Sequence, residues 1–209
     1  MSAPTARFIS FEGIDGSGKS TQARLLAETL RARGQAVVLT REPGGSPGAE
    51  DIRALLLQGA QDRWSPQTEI LLFTAARRDH MERTILPALD AGQMVICDRF
   101  ADSTRMYQGL RGDGLRAQVD ALHDLMIGRE PDLTLLIDID PALGLRRALA
   151  RHGTEERFES FGLELQTRLR AGFLDLARQH PDRIRVIDGA QPPEAVAAAV
   201  RAVMDPHLI

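Results

Sequence analysis

A phosphate-binding motif lies near the N-terminus and contains Lys19, the single lysine among the 26 lysine and arginine residues of this 209-residue chain. The motif matches G-x-x-x-x-G-K-[ST] and consists of Gly13-Ile14-Asp15-Gly16-Ser17-Gly18-Lys19-Ser20. Its glycines allow successive backbone N–H groups to point inward at phosphate oxygens. The Lys19 ammonium can then reach the β- and γ-phosphates of a nucleotide, and the Ser20 hydroxyl can bind Mg²⁺.

The residues on either side of this motif support its interpretation, because a phosphate loop follows a strand and begins a helix. Residues 7–12 are a short aromatic and β-branched run that predicts a strand. Ala23, Leu26 and Leu30 recur at helical spacing after the motif, and Gly34 ends the pattern. A glycine-rich turn with an incidental lysine is the alternative, and this context disfavours it.

The composition is that of an ordinary globular domain, with 43% hydrophobic residues, 26% charged residues and a net charge of −3. This charge balance does not indicate a surface for nucleic acid or membranes. Cys97 is the single cysteine, which excludes an internal disulfide, and its apolar neighbours predict a buried residue. We therefore expect one domain over residues 1–209, a cytoplasmic location, and neither a nucleic-acid nor a membrane partner.

Short apolar runs alternate with stretches of helical periodicity along the chain. The runs predict strands at residues 7–12, 36–40, 94–98, 133–138 and 185–188. Helices are predicted at residues 18–33, 48–58, 66–91, 114–127, 141–151, 160–179 and 193–203. This alternation predicts an α/β fold of P-loop NTPase type, in which a five-stranded parallel sheet lies between two layers of helices. Ligands of such sheets bind beyond the carboxyl ends of the strands.

Charged residues follow the second and third predicted strands at that edge. Arg41 and Glu42 precede a Pro-Gly-Gly turn, for which a solvent-exposed charged turn is the alternative interpretation. Asp98 ends the third strand, where an acidic side chain can hold Mg²⁺ through water. Arg99 is placed to neutralise a phosphate. Tyr107, the single tyrosine, suits a nucleobase or sugar contact, and core packing is its alternative.

The predicted helix at 66–91 carries a pair of residues suited to a nucleobase. Phe73 and Arg77 are four residues apart and so share one face. A base could stack on Phe73 while Arg77 donates to a base carbonyl; packing of Phe73 in the core is the alternative. His80 has no acidic or nucleophilic partner at a telling spacing, so we expect a structural role for it.

An arginine-rich segment follows the fourth predicted strand. Arg147 and Arg151 are four residues apart on the predicted helix 141–151, and Arg157 lies shortly after them. A short basic lid at residues 147–158 could close over phosphates, exclude water and stabilise the charge of phosphoryl transfer. A solvent-exposed basic helix end is the alternative.

The order and spacing of these motifs resemble those of thymidylate kinases over nearly the whole chain, from Phe11 to at least Asp188. The matching segments are residues 11–21, 40–45, 72–73 with 77, and 98–109. The resemblance implies that ATP and dTMP are converted to ADP and dTDP with Mg²⁺, as a late step of dTTP synthesis for DNA replication. It also implies a homodimer.

The resemblance further implies roles for individual residues. It places the ATP site at Gly13, Ile14, Asp15, Gly16, Ser17, Gly18, Lys19, Ser20, Thr21 and Arg147. It places the dTMP site at Asp15, Glu42, Arg53, Phe73, Arg77, Arg99, Ser103, Thr104, Tyr107 and Gln108, with Arg41 as a further contact. In that set Phe73 would stack on thymine, Arg77 would donate to its O4 atom, and Arg99 would bind the acceptor phosphate. Ser20, and Asp98 through water, would hold Mg²⁺.

Members of this family differ in the position of their catalytic arginine, and some carry it within the phosphate loop. This chain has Asp15-Gly16-Ser17 there, so it resembles the bacterial type that supplies the arginine from the lid. The resemblance therefore places catalysis at Lys19, Asp15, Arg99 and Arg151, with Arg147 and Arg157 assisting.

Two other classes of P-loop protein are alternatives to this family. Another nucleoside monophosphate kinase or a deoxynucleoside kinase is the nearest alternative, and Arg99 favours a monophosphate acceptor. A GTPase switch usually recognises guanine through N-K-x-D. The chain contains no asparagine and its one lysine lies in the phosphate loop, so that motif is excluded.

Overall fold

Five short strands form one parallel sheet in the order β2-β3-β1-β4-β5 in the computed structural model, which describes residues 7–60, 62–150 and 162–207. The strands are β1 Phe8–Glu12, β2 Val37–Arg41, β3 Met94–Asp98, β4 Leu133–Asp138 and β5 Ile184–Asp188. Each lies within one residue of its predicted bounds, because a run this apolar is stable only between two helical layers.

Helices cover both faces of the sheet. Those that flank β1 to β3 are α1 Lys19–Ala32, α2 Pro47–Leu57, α3 Pro66–His80, α4 Leu86–Asp90 and α5 Ala101–Tyr107. The later ones are α6 Leu115–Met126, α7 Pro141–Leu149, α8 Leu163–Gln179 and α9 Pro193–Met204. Within the described ranges, no helix combines the length and the apolar character that crossing a membrane requires.

Alternate residues of the strands pack into the two layers. Ile9 and Phe11 of β1 are buried against α1 and α9, where Leu26 and Val200 belong to the same core cluster. Phe8, one residue away, is buried on the opposite face in a cluster with Ala88 of α4 and Ala101 of α5. This alternation confirms the predicted three-layer α/β arrangement. The strands pair in parallel, so their carboxyl ends lie at one edge of the sheet.

Two helical segments differ from their prediction. The predicted helix 66–91 is interrupted by a π-helical turn at Met81–Ile85, just before Pro87. Proline has no N–H and clashes with the preceding turn, and the wider turn accommodates it. Helix α5 was not predicted, because Ser103 and Thr104 are weak helix formers. It forms where the Glu12 carboxylate accepts hydrogen bonds from its first N–H groups.

Candidate active site

A cavity of about 630 Å³ opens at the edge of the sheet where β1, β2 and β3 end. It brings together most of the predicted site residues from segments far apart in the chain. These are Asp15, Gly16, Lys19, Ser20, Arg41, Glu42, Arg53, Phe73, Arg77, Asp98, Arg99, Ser103, Thr104, Tyr107 and Gln108. Four residues that were not predicted complete the wall, namely Pro43, Leu57, Phe100 and Ala148.

The phosphate loop connects β1 to α1 and packs tightly against α7. Gly16 has a φ of +76°, and a Cβ atom at this position would collide with the backbone of Gly144. A Cβ atom on Gly144 would in turn lie 2.7 Å from the Asp15 carbonyl oxygen. Both positions therefore require glycine. Five other predicted loop residues lie outside the cavity wall, namely Gly13, Ile14, Ser17, Gly18 and Thr21.

The start of α1 is suited to an anion. Its N-cap, Gly18, is left-handed with a φ of +97° and offers no capping side chain, so the first N–H groups of the helix face the loop. Lys19 is buried, and its ammonium donates to the Ile14 carbonyl oxygen at 3.2 Å. Burial, followed by repulsion from Arg99, lowers the pKa of Lys19 to about 8.

Asp15 lies at the junction of the phosphate loop and the cavity and binds two of the predicted acceptor-site residues. Its Oδ1 atom accepts a hydrogen bond from Arg99 at 2.5 Å and lies 4.0 Å from the Lys19 ammonium. Its Oδ2 atom accepts one from the Tyr107 hydroxyl at 2.9 Å. Burial alone would raise the pKa of Asp15, but the charges of Arg99 and Lys19 lower it, so the group is a carboxylate at neutral pH.

Arg99 is held in an uncommon backbone conformation, with a φ of +70°. Its guanidinium stacks over the Tyr107 ring, 4.9 Å from the ring centre, and donates to the Ser103 hydroxyl at 3.0 Å. These contacts aim the cation into the cavity beside Asp15. A strained residue at such a point is typical of functional sites.

Arg77 is fixed at the opposite side of the cavity. Its Nε atom donates to Glu42 at 2.7 Å and its Nη2 atom donates to the Thr104 hydroxyl at 2.9 Å. His80 lies 3.1 Å from the other Glu42 oxygen, so it has the acidic partner that sequence spacing did not reveal. Its predicted structural role fits this contact.

The other predicted acceptor-site residues have different contacts with the rest of the protein. Phe73 is half-buried on α3 and lines the cavity. Arg53 donates to the Pro43 carbonyl oxygen at 2.5 Å. The Gln108 amide donates to Glu69, which is fully buried, at 3.3 Å. No pattern in the sequence predicted that partner.

Asp98 and Ser20 supply oxygen atoms of the type that Mg²⁺ prefers. Ser20 is exposed in the first turn of α1 and lines the cavity. The Oδ1 atom of Asp98 is buried, and no donor among the described residues reaches it. This free acceptor beside the phosphate loop fits the predicted metal site.

The predicted lid begins in the last turn of α7. There Arg147 donates to the Gly189 carbonyl oxygen at 3.1 Å and so contacts the loop after β5, outside the cavity wall. Arg151 and Arg157 lie outside the described residues. The solvent-exposed interpretation does not hold for Arg147, which is half-buried.

Comparison with known proteins identifies the family. The family model described as thymidylate kinase matches residues 11–200. The chain belongs to the thymidylate kinase family. A thymidylate kinase of Ruegeria pomeroyi is 71% identical over 98% of this chain and 97% of the relative. One of Dinoroseobacter shibae is 69% identical over 94% and 95%, respectively.

A solved structure supports the same assignment. The thymidylate kinase of Ehrlichia chaffeensis is 38% identical, with a TM-score of 0.78 over 97% of this chain and 99% of its own. The predicted family and P-loop α/β fold are therefore confirmed. The chain is an ATP-dependent nucleoside monophosphate kinase that converts dTMP to dTDP, a late step of dTTP synthesis.

Two buried residues of this thymidylate kinase site were missed by sequence reasoning. Glu12 accepts hydrogen bonds from Phe100 N at 2.7 Å and the Ser103 hydroxyl at 2.6 Å, so it braces the loop that carries Arg99. Its position at the end of an apolar strand was a signal that could have revealed it. Gln166 of α8 contacts Asp15, and no local pattern indicates this.

Proposed function

We propose that the cavity is the dTMP site of this kinase and that the phosphate loop with α1 is its ATP site. The observation that carries this proposal is the convergence of Lys19 and Arg99 on Asp15, at the junction between loop and cavity. Two cations beside one carboxylate oxygen, Lys19 from the phosphate loop and Arg99 from the cavity wall, suit the donor phosphates and the acceptor phosphate, respectively. Asp15 holds both cations in place before substrates bind.

Recognition of the thymine base is proposed for the far side of the cavity. Phe73 supplies an aromatic surface for stacking, and Arg77 supplies a guanidinium whose direction is fixed by Glu42 and Thr104. Because the Arg77 guanidinium is held in place before the base binds, a base carbonyl such as O4 finds a hydrogen-bond donor that is already oriented toward it. The part of the cavity wall proposed to contact dTMP also includes Ser103, Tyr107 and Gln108.

A comparison of acceptors tests this assignment. We expect dTMP to give the highest kcat/KM among dTMP, dUMP, dCMP, dGMP and thymidine in an ADP-release assay. Thymidine tests the phosphate contact of Arg99, and dCMP tests the carbonyl contact of Arg77. Equal rates with dCMP and dTMP would contradict base recognition by Arg77, and equal rates with thymidine would contradict the acceptor-phosphate role of Arg99.

Mg²⁺ is proposed as the cofactor, held by Ser20 directly and by Asp98 through water. When bound, the ion neutralises phosphate charge and orients the phosphates for transfer. Asp98→Ala is expected to raise the Mg²⁺ concentration needed for half-maximal rate, because the buried carboxylate oxygen would be lost. An unchanged Mg²⁺ requirement would remove Asp98 from the site.

Catalysis is proposed to depend on charge from two directions, Lys19 of the phosphate loop and Arg151 of the lid at residues 147–158. No covalent intermediate is needed, because phosphoryl transfer is accelerated by positioning and charge. Lys19→Ala and Arg151→Ala are each expected to lower kcat by about two to four orders of magnitude. Arg24→Ala, an exposed cation on α1, is the control and should retain full rate.

The position of the lid arginine is tested by neighbouring variants. Arg147→Ala and Arg157→Ala are expected to lower kcat less than Arg151→Ala does, because they are proposed only to assist. Near-normal turnover of Arg151→Ala together with a large loss in either neighbour would transfer the role to that neighbour.

A homodimer and a cytoplasmic location complete the proposal. Leu71 on α3 is 57% exposed and Leu125 on α6 is 78% exposed, and these two helices pack against each other. The exposed leucines offer apolar surface for a second copy of the chain. Sedimentation velocity at micromolar concentration should show a dimer, and a monomer at all concentrations would contradict it. The cytoplasm is where ATP and DNA precursors are available.

A further inference from the structure

The geometry points to Gln166 as a positioning residue for Asp15, and through it for the acceptor side of the reaction. Gln166 lies on α8 and is 1% exposed. Its amide makes two contacts with one residue: its Oε1 atom accepts from Asp15 N at 3.4 Å, and its Nε2 atom donates to Asp15 Oδ2 at 3.1 Å.

Gln166 occupies a place where the helix pattern calls for an apolar residue. Leu169, Phe173 and Leu176 follow it at positions i+3, i+7 and i+10, and all three are buried core residues. A polar side chain on this stripe loses its hydration and is tolerated only when it is hydrogen-bonded. Asp15 supplies those hydrogen bonds, so the buried glutamine and the partly exposed loop acid form one hydrogen-bonded unit.

An amide suits this position because it is both a donor and an acceptor. The Asp15 backbone N–H needs an acceptor and its carboxylate needs a donor, and Gln166 provides both from one planar group. The hydrogen bond to the carboxylate is charge-assisted and therefore stronger than one between neutral groups. It adds to the contact of Arg99 with Oδ1 and that of Tyr107 with Oδ2, so both oxygens of the Asp15 carboxylate are held.

Loss of this support is expected to reach the reaction through Asp15. Gln166→Leu keeps the size and removes both contacts, so Asp15 and Arg99 should lose their alignment. We expect kcat/KM for dTMP to fall about tenfold to a hundredfold, the scale of a lost hydrogen bond to a charged group. The ratio of the variant rate to the wild-type rate should not change with pH.

Gln166→Glu separates positioning from packing. It keeps the shape of the side chain, but its ionised carboxylate cannot donate and repels Asp15. Burial at this position and the negative charge of Asp15 would raise the pKa of the introduced glutamate above its ordinary value of about 4.3, so that it is protonated at the acid end of the pH range and can donate to Asp15 again. The charged or titratable groups within the described residues that face Asp15 are Lys19, Arg99 and Tyr107. Of these, Lys19 titrates between about pH 6 and about pH 9, because its pKa is lowered to about 8, whereas the pKa of Arg99 and that of Tyr107 are raised above this range. Lys19 titrates in the wild type as well, so the ratio of variant to wild type isolates position 166.

The decisive experiment measures kcat/KM for dTMP from about pH 6 to about pH 9 for wild type, Gln166→Leu, Gln166→Glu and Gln179→Glu. Gln179 is the exposed last residue of the same helix and serves as the charge control. We expect the Gln166→Glu ratio to fall as pH rises and the control ratio to stay flat. A pH-independent Gln166→Glu ratio, or wild-type kcat/KM in Gln166→Leu, would overturn the inference.

This inference rests on the proposed role of Asp15, and one further variant distinguishes their failures. If Asp15→Ala retained full activity, the proposed role of Asp15 would be wrong and the inference would fall with it. If Asp15→Ala lost activity while Gln166→Leu did not, only the inference would be wrong. Should Gln166→Leu fail to fold, the pH profile of Gln166→Glu decides alone.

Discussion

At the scale of single residues, the chemistry depends on charged side chains that are buried. Lys19 is buried in the phosphate loop, and the Arg99 guanidinium binds the same Asp15 oxygen that the Lys19 ammonium approaches. Burial opposes the positive charge of Lys19, and Arg99 opposes it further, so its pKa is lowered to about 8. An ammonium group whose pKa lies this close to neutral pH is driven toward its protonated form when a phosphate binds beside it.

Activity should therefore fall at alkaline pH. Free enzyme carries a protonated Lys19 below pH 8 and loses that charge as pH rises through about 8. We expect kcat/KM for ATP to decrease over this range, while kcat at saturating ATP stays flatter because bound phosphate favours the protonated form. Steady-state rates from about pH 6.5 to about pH 9.5 check this. Constant kcat/KM for ATP across the range would contradict it.

Phe73 provides a second test at the residue scale. Its half-buried ring lines the cavity, so its removal should weaken stacking on the acceptor base and leave the phosphate chemistry intact. We expect Phe73→Ala to raise KM for dTMP by about tenfold or more, with kcat less affected, on the scale of a lost stacking contact. Phe73→Tyr is the matched control and should retain a low KM. An unchanged KM in Phe73→Ala would assign the ring to core packing.

At the scale of elements, Glu42 joins the end of β2 to α3. Its two carboxylate oxygens contact Arg77 and His80, which lie one turn apart on α3. Glu42 and Arg77 are both nearly fully buried. This contact fixes the helix that carries the base-recognition residues relative to the sheet that carries the phosphate-binding residues.

Breaking that contact should destabilise the fold. Glu42→Ala leaves the Arg77 guanidinium buried without its anion, and we expect a loss of about 3–5 kcal/mol in the free energy of unfolding. Equilibrium urea denaturation measures it. Glu28→Ala removes the partner of Arg24 in an exposed pair and should cost below about 1 kcal/mol. Equal losses in the free energy of unfolding of the two variants would show that the buried pair stabilises the fold no more than the exposed pair does.

Glu12 is a second residue that connects two elements, and its protonation affects the stability of the whole molecule. Burial raises its pKa to about 7, and the negative charge of Asp102 adds to this effect. The unfolded chain releases this proton near the ordinary value of 4.5, whereas the folded protein keeps it until about 7. The contribution of Glu12 to stability is therefore greatest at acid pH and is lost as pH rises from 4.5 through about 7.

Replacing the titrating group should remove this dependence. We expect the free energy of unfolding of Glu12→Gln, relative to wild type, to increase by up to about 3 kcal/mol between about pH 5 and about pH 8. Urea denaturation of the ligand-free proteins at both pH values measures the change. Glu28→Gln, an exposed position on α1, should show none. The same difference between Glu12→Gln and wild type at both pH values would contradict the raised pKa.

Across the whole molecule, the sequence alone determined what depends on local pattern. Apolar runs predicted all five strands to within one residue, because a strand buried on both faces needs an unbroken apolar segment. The phosphate loop, with Lys19, followed from the strand, motif and helix around it. The strand ends then predicted most of the cavity wall, because parallel strands bring their carboxyl ends together.

Only the tertiary structure decided which of these groups touch. Glu12 is 88 residues from Phe100, and Gln166 is 151 residues from Asp15. Such partners meet because the sheet order places β1 between β3 and β4 and the helices then pack on it. Helix α5 likewise forms on a distant carboxylate and not on its own propensity. Periodicity reports which face of an element is buried, but it contains no information about the partner across the interface.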